Sequence, residues 1–132
     1  RSTLFPYTTL FRSLFMVILD ESVLRRVVGR SSTMYRQLDH LLDLCELPQV
    51  TIQILPLGSM GASVAAVVRG PITLVQVVPD RDVRRVVYLQ QLDSALYPED
   101  EESHRHAMNL LAVSAACPDA TPGILRQVIR DL

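Results

Sequence analysis

Two strand-length apolar runs, LFMVIL (Leu14–Leu19) and QVTIQIL (Gln49–Leu55), are separated by a stretch with helical periodicity. This feature constrains the fold most, because strands bridged by helices pair naturally as parallel neighbours through a right-handed crossover. LFMVIL is continuously apolar and suits a strand buried on both faces. In the second run Val50, Ile52 and Ile54 alternate with Thr51 and Gln53, the period of a half-buried strand. Between them, Asp20 offers an N-cap and Glu21 a negative charge for a first helix. Val23, Leu24, Val27 and Val28 would form its core stripe and Gly29 its C-cap. A second helix is predicted from the Ser31-Ser32-Thr33 cap candidates to about Leu47, where Pro48 stops it. Its Met34, Leu38, Leu41, Leu42 and Cys45 fall on one face.

After Leu55 the pattern changes. PLGSMG (Pro56–Gly61) reads as a loop, ASVAAVVRG (Ala62–Gly70) as a short strand and ITLVQVV (Ile72–Val78) as another. PDRDVRR reads as a charged hairpin tip, and VVYLQQLD (Val86–Asp93) as the strand returning antiparallel. Pro98 and the acids Glu99, Asp100, Glu101 and Glu102 open a helix expected to reach about Ala116. Thr121-Pro122 starts a last helix with Ile124, Leu125, Val128, Ile129 and Leu132 on one side. The expected fold class is α+β, a mixed, mainly antiparallel sheet packed against helices, in the order β-α-α-β-β-β-β-α-α.

The opening residues 1–13 fit neither period. Thr3–Ser13, TLFPYTTLFRS, resembles the translation of a sequencing-library adapter, so we read residues 1–13 as non-native and 14–132 as the natural domain. A chain of 132 residues suffices for one domain with its own core. Its net charge of -1 gives no general pull toward nucleic acid, membrane or acidic substrates. No run approaches the roughly 18–20 apolar residues of a membrane helix. Cys45 and Cys117 are too isolated for a disulfide framework or zinc site, and read as buried thiols in a reducing cytoplasm.

Candidate chemistry is sparse. His104 and His106 lie two apart, and on a helix they diverge instead of converging on a metal. Asp39, His40 and Asp43 form an acid/base-like cluster, but on the polar face of an amphipathic helix and without a nucleophile. Gly58, Gly61 and Gly70 lack the context of a phosphate loop. Arg81, Arg84 and Arg85 are interleaved with Asp80 and Asp82 and read as a solvated tip. The acids of PEDEE fan around a helix and suit its dipole better than a cation. Glu21 and Arg25 form an i, i+4 pair beside the end of the first strand, where parallel units tend to bind ligands. We therefore expect no catalytic residue, no metal and no cofactor.

The ordered set Glu21, Leu24, Arg25, Gly29, Gln37, Leu38, Val50, Ile54, Leu55, Pro56, Gly70, Pro71, Leu74 and Tyr88 resembles a known C-terminal domain. It is carried by actinobacterial regulators with an N-terminal Xre-type helix-turn-helix and is labelled a domain of unknown function. The resemblance runs from about Phe15 to the end. It implies a cytoplasmic transcription regulator, antitoxin-like in some members, that touches DNA only through a helix-turn-helix missing from this chain. It also implies a homodimer and either a small partner protein encoded nearby or a small-molecule effector, with no role for a membrane. Glu21, Arg25, Gln37 and Tyr88 become candidate ligand- or partner-binding residues. The chain departs from the family pattern in the apolar loop ASVAAVVR and in Gln90-Gln91, where an acid commonly follows the tyrosine. Two other readings compete with a regulatory binding domain. One is a small enzyme using Asp20 and Glu21 in a sheet-edge pocket, and the other is a purely structural dimerisation module.

Overall fold

The computed structural model describes residues 13–58, 70–77 and 82–132. Their order is β1 (Phe15–Asp20), α1 (Glu21–Arg25), α2 (Ser31–Cys45), β2 (Val50–Leu55), β3 (Ile72–Val77), β4 (Arg84–Gln90), β5 (Ala95–Leu96), α3 (Glu101–Ser114), a 3-10 turn (Pro118–Ala120) and α4 (Thr121–Arg130). The class is α+β, as the residue patterns imply. The segment 62–69, expected to hold a further strand, lies outside the described residues, as do residues 1–12. The strands make two sheets, not one: a parallel pair β1-β2 and an antiparallel meander β3-β4-β5. The chain correspondingly divides into two compact units, one running to Leu57 and resuming at Ala115–Leu132, the other spanning Gly58–Ser114.

In the first unit, β1 and β2 run parallel from Phe15 opposite Val50 to Asp20 opposite Leu55. Leu24, Met34, Leu38, Ile54, Leu125 and Val128 form its buried core, with Leu41, Leu42, Cys45, Ile124 and Ile129 packed around them. The stripe read from α2 thus faces inward, and so does the stripe of α4. Each fully buried leucine contributes about 1.5–3 kcal/mol of transfer free energy. The returning chain is bonded along β2. The Thr121 hydroxyl donates to the Ile52 carbonyl at 2.6 Å, Ala116 N–H donates to the Ile54 carbonyl at 2.9 Å, and Gln53 Nε2 donates to the Ala116 carbonyl at 3.2 Å. Thr121 is therefore fully buried, its hydroxyl spent on the strand instead of capping its own helix.

Several local expectations give way here. β1 is not buried throughout: Phe15 and Met16 are exposed, because β1 has one strand neighbour among the described residues and cover begins only at Val17. α1 makes little more than one turn. Arg26 is already extended, and of the expected stripe only Leu24 is buried, while Val23, Val27 and Val28 are exposed. Adjacent β-branched valines lose rotamer freedom in a helix and favour extended backbone. Gly29 follows at φ 77°, a left-handed conformation that its missing Cβ permits. α2 begins at Ser31 with Arg30 in the cap position, so no serine or threonine side chain caps it. Cys117, expected to be buried, is exposed beside the 3-10 turn, whereas Cys45 packs against the core and burial pushes its thiol up.

In the second unit, β3 pairs with β4 from Ile72 opposite Leu89 to Val77 opposite Arg84, and β4 pairs with the short β5. Arg84 and Arg85 belong to β4 and not to a hairpin tip, so this strand starts two residues earlier than the sequence suggested. Opposed residues share a face, since side chains alternate along each strand. One face carries Leu74, Gln76, Arg85 and the buried Val87; the other carries Thr73, Val75, Val77, Arg84, Val86 and Tyr88. α3 lies against β4, and its acidic first turn, Glu101 and Glu102, complements the helix dipole. Asp100 accepts from Ser103 N–H at 3.1 Å just before the helix, and its bonds to Ser103 hold its carboxyl below the ordinary range.

Candidate functional site

The polar cluster with the most connections sits at the carboxyl ends of β1 and β2. Asp20 ends β1 and accepts from Ser22 N–H at 2.8 Å, so its carboxylate caps α1. The next residue, Glu21, is placed by that cap with both carboxylate oxygens in use. Oε1 accepts from Arg25 Nε at 2.8 Å and Oε2 from Leu57 N–H at 3.0 Å. The Leu57 N–H, then the Arg25 side chain, holds the Glu21 carboxyl below its ordinary value. Arg25 continues the chain, with Nη1 donating to Asp131 Oδ2 at 3.0 Å. Asp131 also accepts from Gln127 Nε2 at 2.9 Å, and Arg25 followed by Gln127 lowers its carboxyl. The Arg25 guanidinium is stabilised in turn, chiefly by Asp131 and then by Glu21. The result fastens α1, the second residue after β2 and the C-terminal end of α4 to one another.

A carboxylate with a lowered pKa and both oxygens engaged is a poor proton acceptor at neutral pH, since general bases are tuned toward the working pH by being raised. The arrangement suits an ion-pair clamp. Gln37, grouped with Glu21 and Arg25 by resemblance, lies exposed on α2 and no bond to them is found. Tyr88 lies in the other unit. The structure thus brings together two of the four candidates and adds Asp131 and the Leu57 amide. Asp131 is 106 positions from Arg25, beyond any local spacing rule.

Tyr88 takes part in a second feature. Its ring meets that of Tyr97 edge-on, with centroids 5.7 Å apart and planes at 62°. Beside it on the same face of the β3-β4 hairpin, Val75, Val77 and Val86 are 44%, 52% and 46% exposed, and Tyr97 is 65% exposed. Three valines and an aromatic pair form an apolar outer face with Arg84 at one end. Tyr97 was not singled out from the sequence; its signal, an aromatic just past a two-residue strand, depends on knowing the β4-β5 register.

The other candidates remain apart. Asp39, His40 and Asp43 are exposed on α2. His104 Nδ1 contacts the Asp100 carbonyl at 2.6 Å, and His106 is exposed. Among the described residues no three or more metal-ligating side chains converge. No helix among them is long and apolar enough to cross a membrane. Arg85 is exposed, as expected, but it is also tethered: it donates from Nε to Gln76, its cross-strand neighbour, and from Nη1 to Glu101, each at 3.2 Å. Arg84 stands exposed, 3.9 Å from Asp82, and Arg81 lies outside the described residues.

Taken together, the chain is an α+β protein with a clamped parallel unit and an antiparallel unit bearing an apolar outer face. It belongs to the family described as domain of unknown function DUF5753, whose model matches residues 11–127. No curated protein and no solved structure gives a significant match.

Proposed function

We propose that this chain is the partner-binding regulatory part of a DNA-binding transcription regulator and that it is non-catalytic. The observation that carries the reading is the outer face of the β3-β4 hairpin, where Val75, Val77 and Val86 stand exposed beside the Tyr88–Tyr97 pair. Exposed apolar residues grouped on one face mark interaction surfaces, and tyrosines are enriched there because they bury a large ring while keeping a polar tip. Tyr88 belongs to the residue set that resembles the C-terminal domain of Xre-type actinobacterial regulators. That resemblance supplies the regulatory role, the cytoplasmic setting and DNA contact through a separate helix-turn-helix. The alternative of an enzyme built on Asp20 and Glu21 finds little support, because Asp20 caps α1 and both oxygens of Glu21 are engaged, by Arg25 and by Leu57.

Co-expressing the full-length regulator with the product of the adjacent gene, followed by size-exclusion chromatography, tests the reading. A stable complex is expected, and replacing both Val75 and Val86 with aspartate should dissociate it. Substrate turnover lost on Glu21→Gln would overturn the non-catalytic reading, and failure of the Val75/Val86 double variant to weaken any complex formed would overturn the assignment of the face.

A further inference from the structure

The opposite face of the same hairpin holds a separate feature. A cleft of about 60 Å³ is lined, among the described residues, by Leu74, Val75, Gln76, Arg85, Val86, Val87, Glu101 and Arg105. Its floor is apolar, Leu74 and the buried Val87 being cross-strand partners. Its polar groups are mainly donors. Arg85 is shared between Gln76 and Glu101, which neutralises the one carboxylate on the lining. Arg105, one turn after Glu101 on α3, has no hydrogen-bond or ion-pair partner among the described residues. Among the described residues the lining therefore carries one unpaired positive charge over an aliphatic floor.

We propose that this cleft binds a short, branched aliphatic carboxylate, with its tail on Leu74 and Val87 and its carboxylate on the Arg105 guanidinium. Size limits the tail. A cavity of roughly 150 Å³ accepts a benzene ring, so a cleft less than half as large takes an isopropyl or isobutyl group. Charge selects the head, because a planar guanidinium forks onto a carboxylate through two parallel hydrogen bonds. The cleft shares Val75 and Val86 with the outer face assigned to a partner protein, whereas Glu101 and Arg105 belong to the cleft alone, so Arg105→Gln tests this proposal without altering that face.

Titration of the intact chain with 4-methylpentanoate, followed by amide NMR, tests the proposal. Three comparison ligands accompany it: 4-methylpentanol, acetate and a peptide ending in a free leucine. Saturable shifts confined to 74–76, 85–87 and 101–105 are expected for 4-methylpentanoate alone among the small molecules. Arg105→Gln, an exposed substitution whose fold the same spectra check, should weaken that binding about tenfold, the loss expected for a charge-assisted bond. Equal binding of the alcohol, or no change in Arg105→Gln, overturns the proposal. So does the absence of saturable shifts. Tighter binding of the peptide than of the free acid would overturn the small-molecule assignment in favour of a chain terminus.

Discussion

The two units use apolar residues differently. In the parallel unit Leu38, Ile54 and Leu125 are fully buried, and a threonine hydroxyl on the interior is bonded to a strand carbonyl. In the antiparallel unit β3 is exposed from Thr73 to Val77, and valines that could fill a core stand at the surface. A sheet face that leaves β-branched residues in solvent gains only cross-strand contacts of roughly 0.2–1 kcal/mol each, whereas one that presents them to a partner also buries them on association. The parallel unit is built as a scaffold, with its charged groups consumed in the Glu21–Arg25–Asp131 clamp. The antiparallel unit leaves Val75, Val77, Val86 and Tyr97 at the surface, the feature on which the proposed partner-binding role rests.

Mutations should separate the two. Leu38→Ala removes a fully buried side chain from the scaffold and should cost about 2–5 kcal/mol in urea unfolding. A loss under about 1 kcal/mol would mean that α2 does not anchor the core. Thr121→Val keeps the shape but leaves the Ile52 carbonyl without this donor; the expected cost is about 1–3 kcal/mol. An unchanged unfolding midpoint would show that the bond between α4 and β2 is dispensable.

The clamp should reveal itself through pH. The Glu21 carboxyl is held below its ordinary value of 4.5, so the folded state binds its proton less readily than the unfolded chain. Its contribution is present in full above about that value and is lost as pH falls through the depressed folded one. Glu21→Gln should lower stability at neutral pH by less than Thr121→Val does, and flatten the acid limb of stability below the ordinary carboxyl value of 4.5. An acid limb identical to that of the parent would remove Glu21 from the account. The smallest stability effect belongs to the presenting surface. Val75→Thr with Val86→Thr should stay within about 0.5 kcal/mol of the parent while weakening the complex with the partner. A large loss of stability would move these valines from presentation to packing.

Much of the scaffold was legible in the residues because its signals are local. The period of Met34, Leu38, Leu41, Leu42 and Cys45 is set by one helix, and the alternation of Val50, Ile52 and Ile54 by one strand. Their parallel pairing follows from the helices between the strands. What escaped depends on distant or competing terms. The short α1 reflects the preference of Val27-Val28 for extended backbone over an otherwise good amphipathic stripe. Division into two sheets depends on which edges meet in space, and periodicity within a strand does not encode that. Of the candidate site, Glu21 with Arg25 was readable as an i, i+4 pair, but Asp131 and the Leu57 amide join it only through the tertiary fold. Tyr88 emerged from the family resemblance; its partner Tyr97 needed the register of β4 with β5.

Hydrogen–deuterium exchange of the protein, alone and with the product of the adjacent gene, tests the proposed division of labour most directly. New protection is expected across 73–77 and 84–90, with the amides of β1 and β2 unchanged. Protection confined to β1, α1 and the Leu57 amide, with the hairpin exchanging as in the free protein, would contradict it.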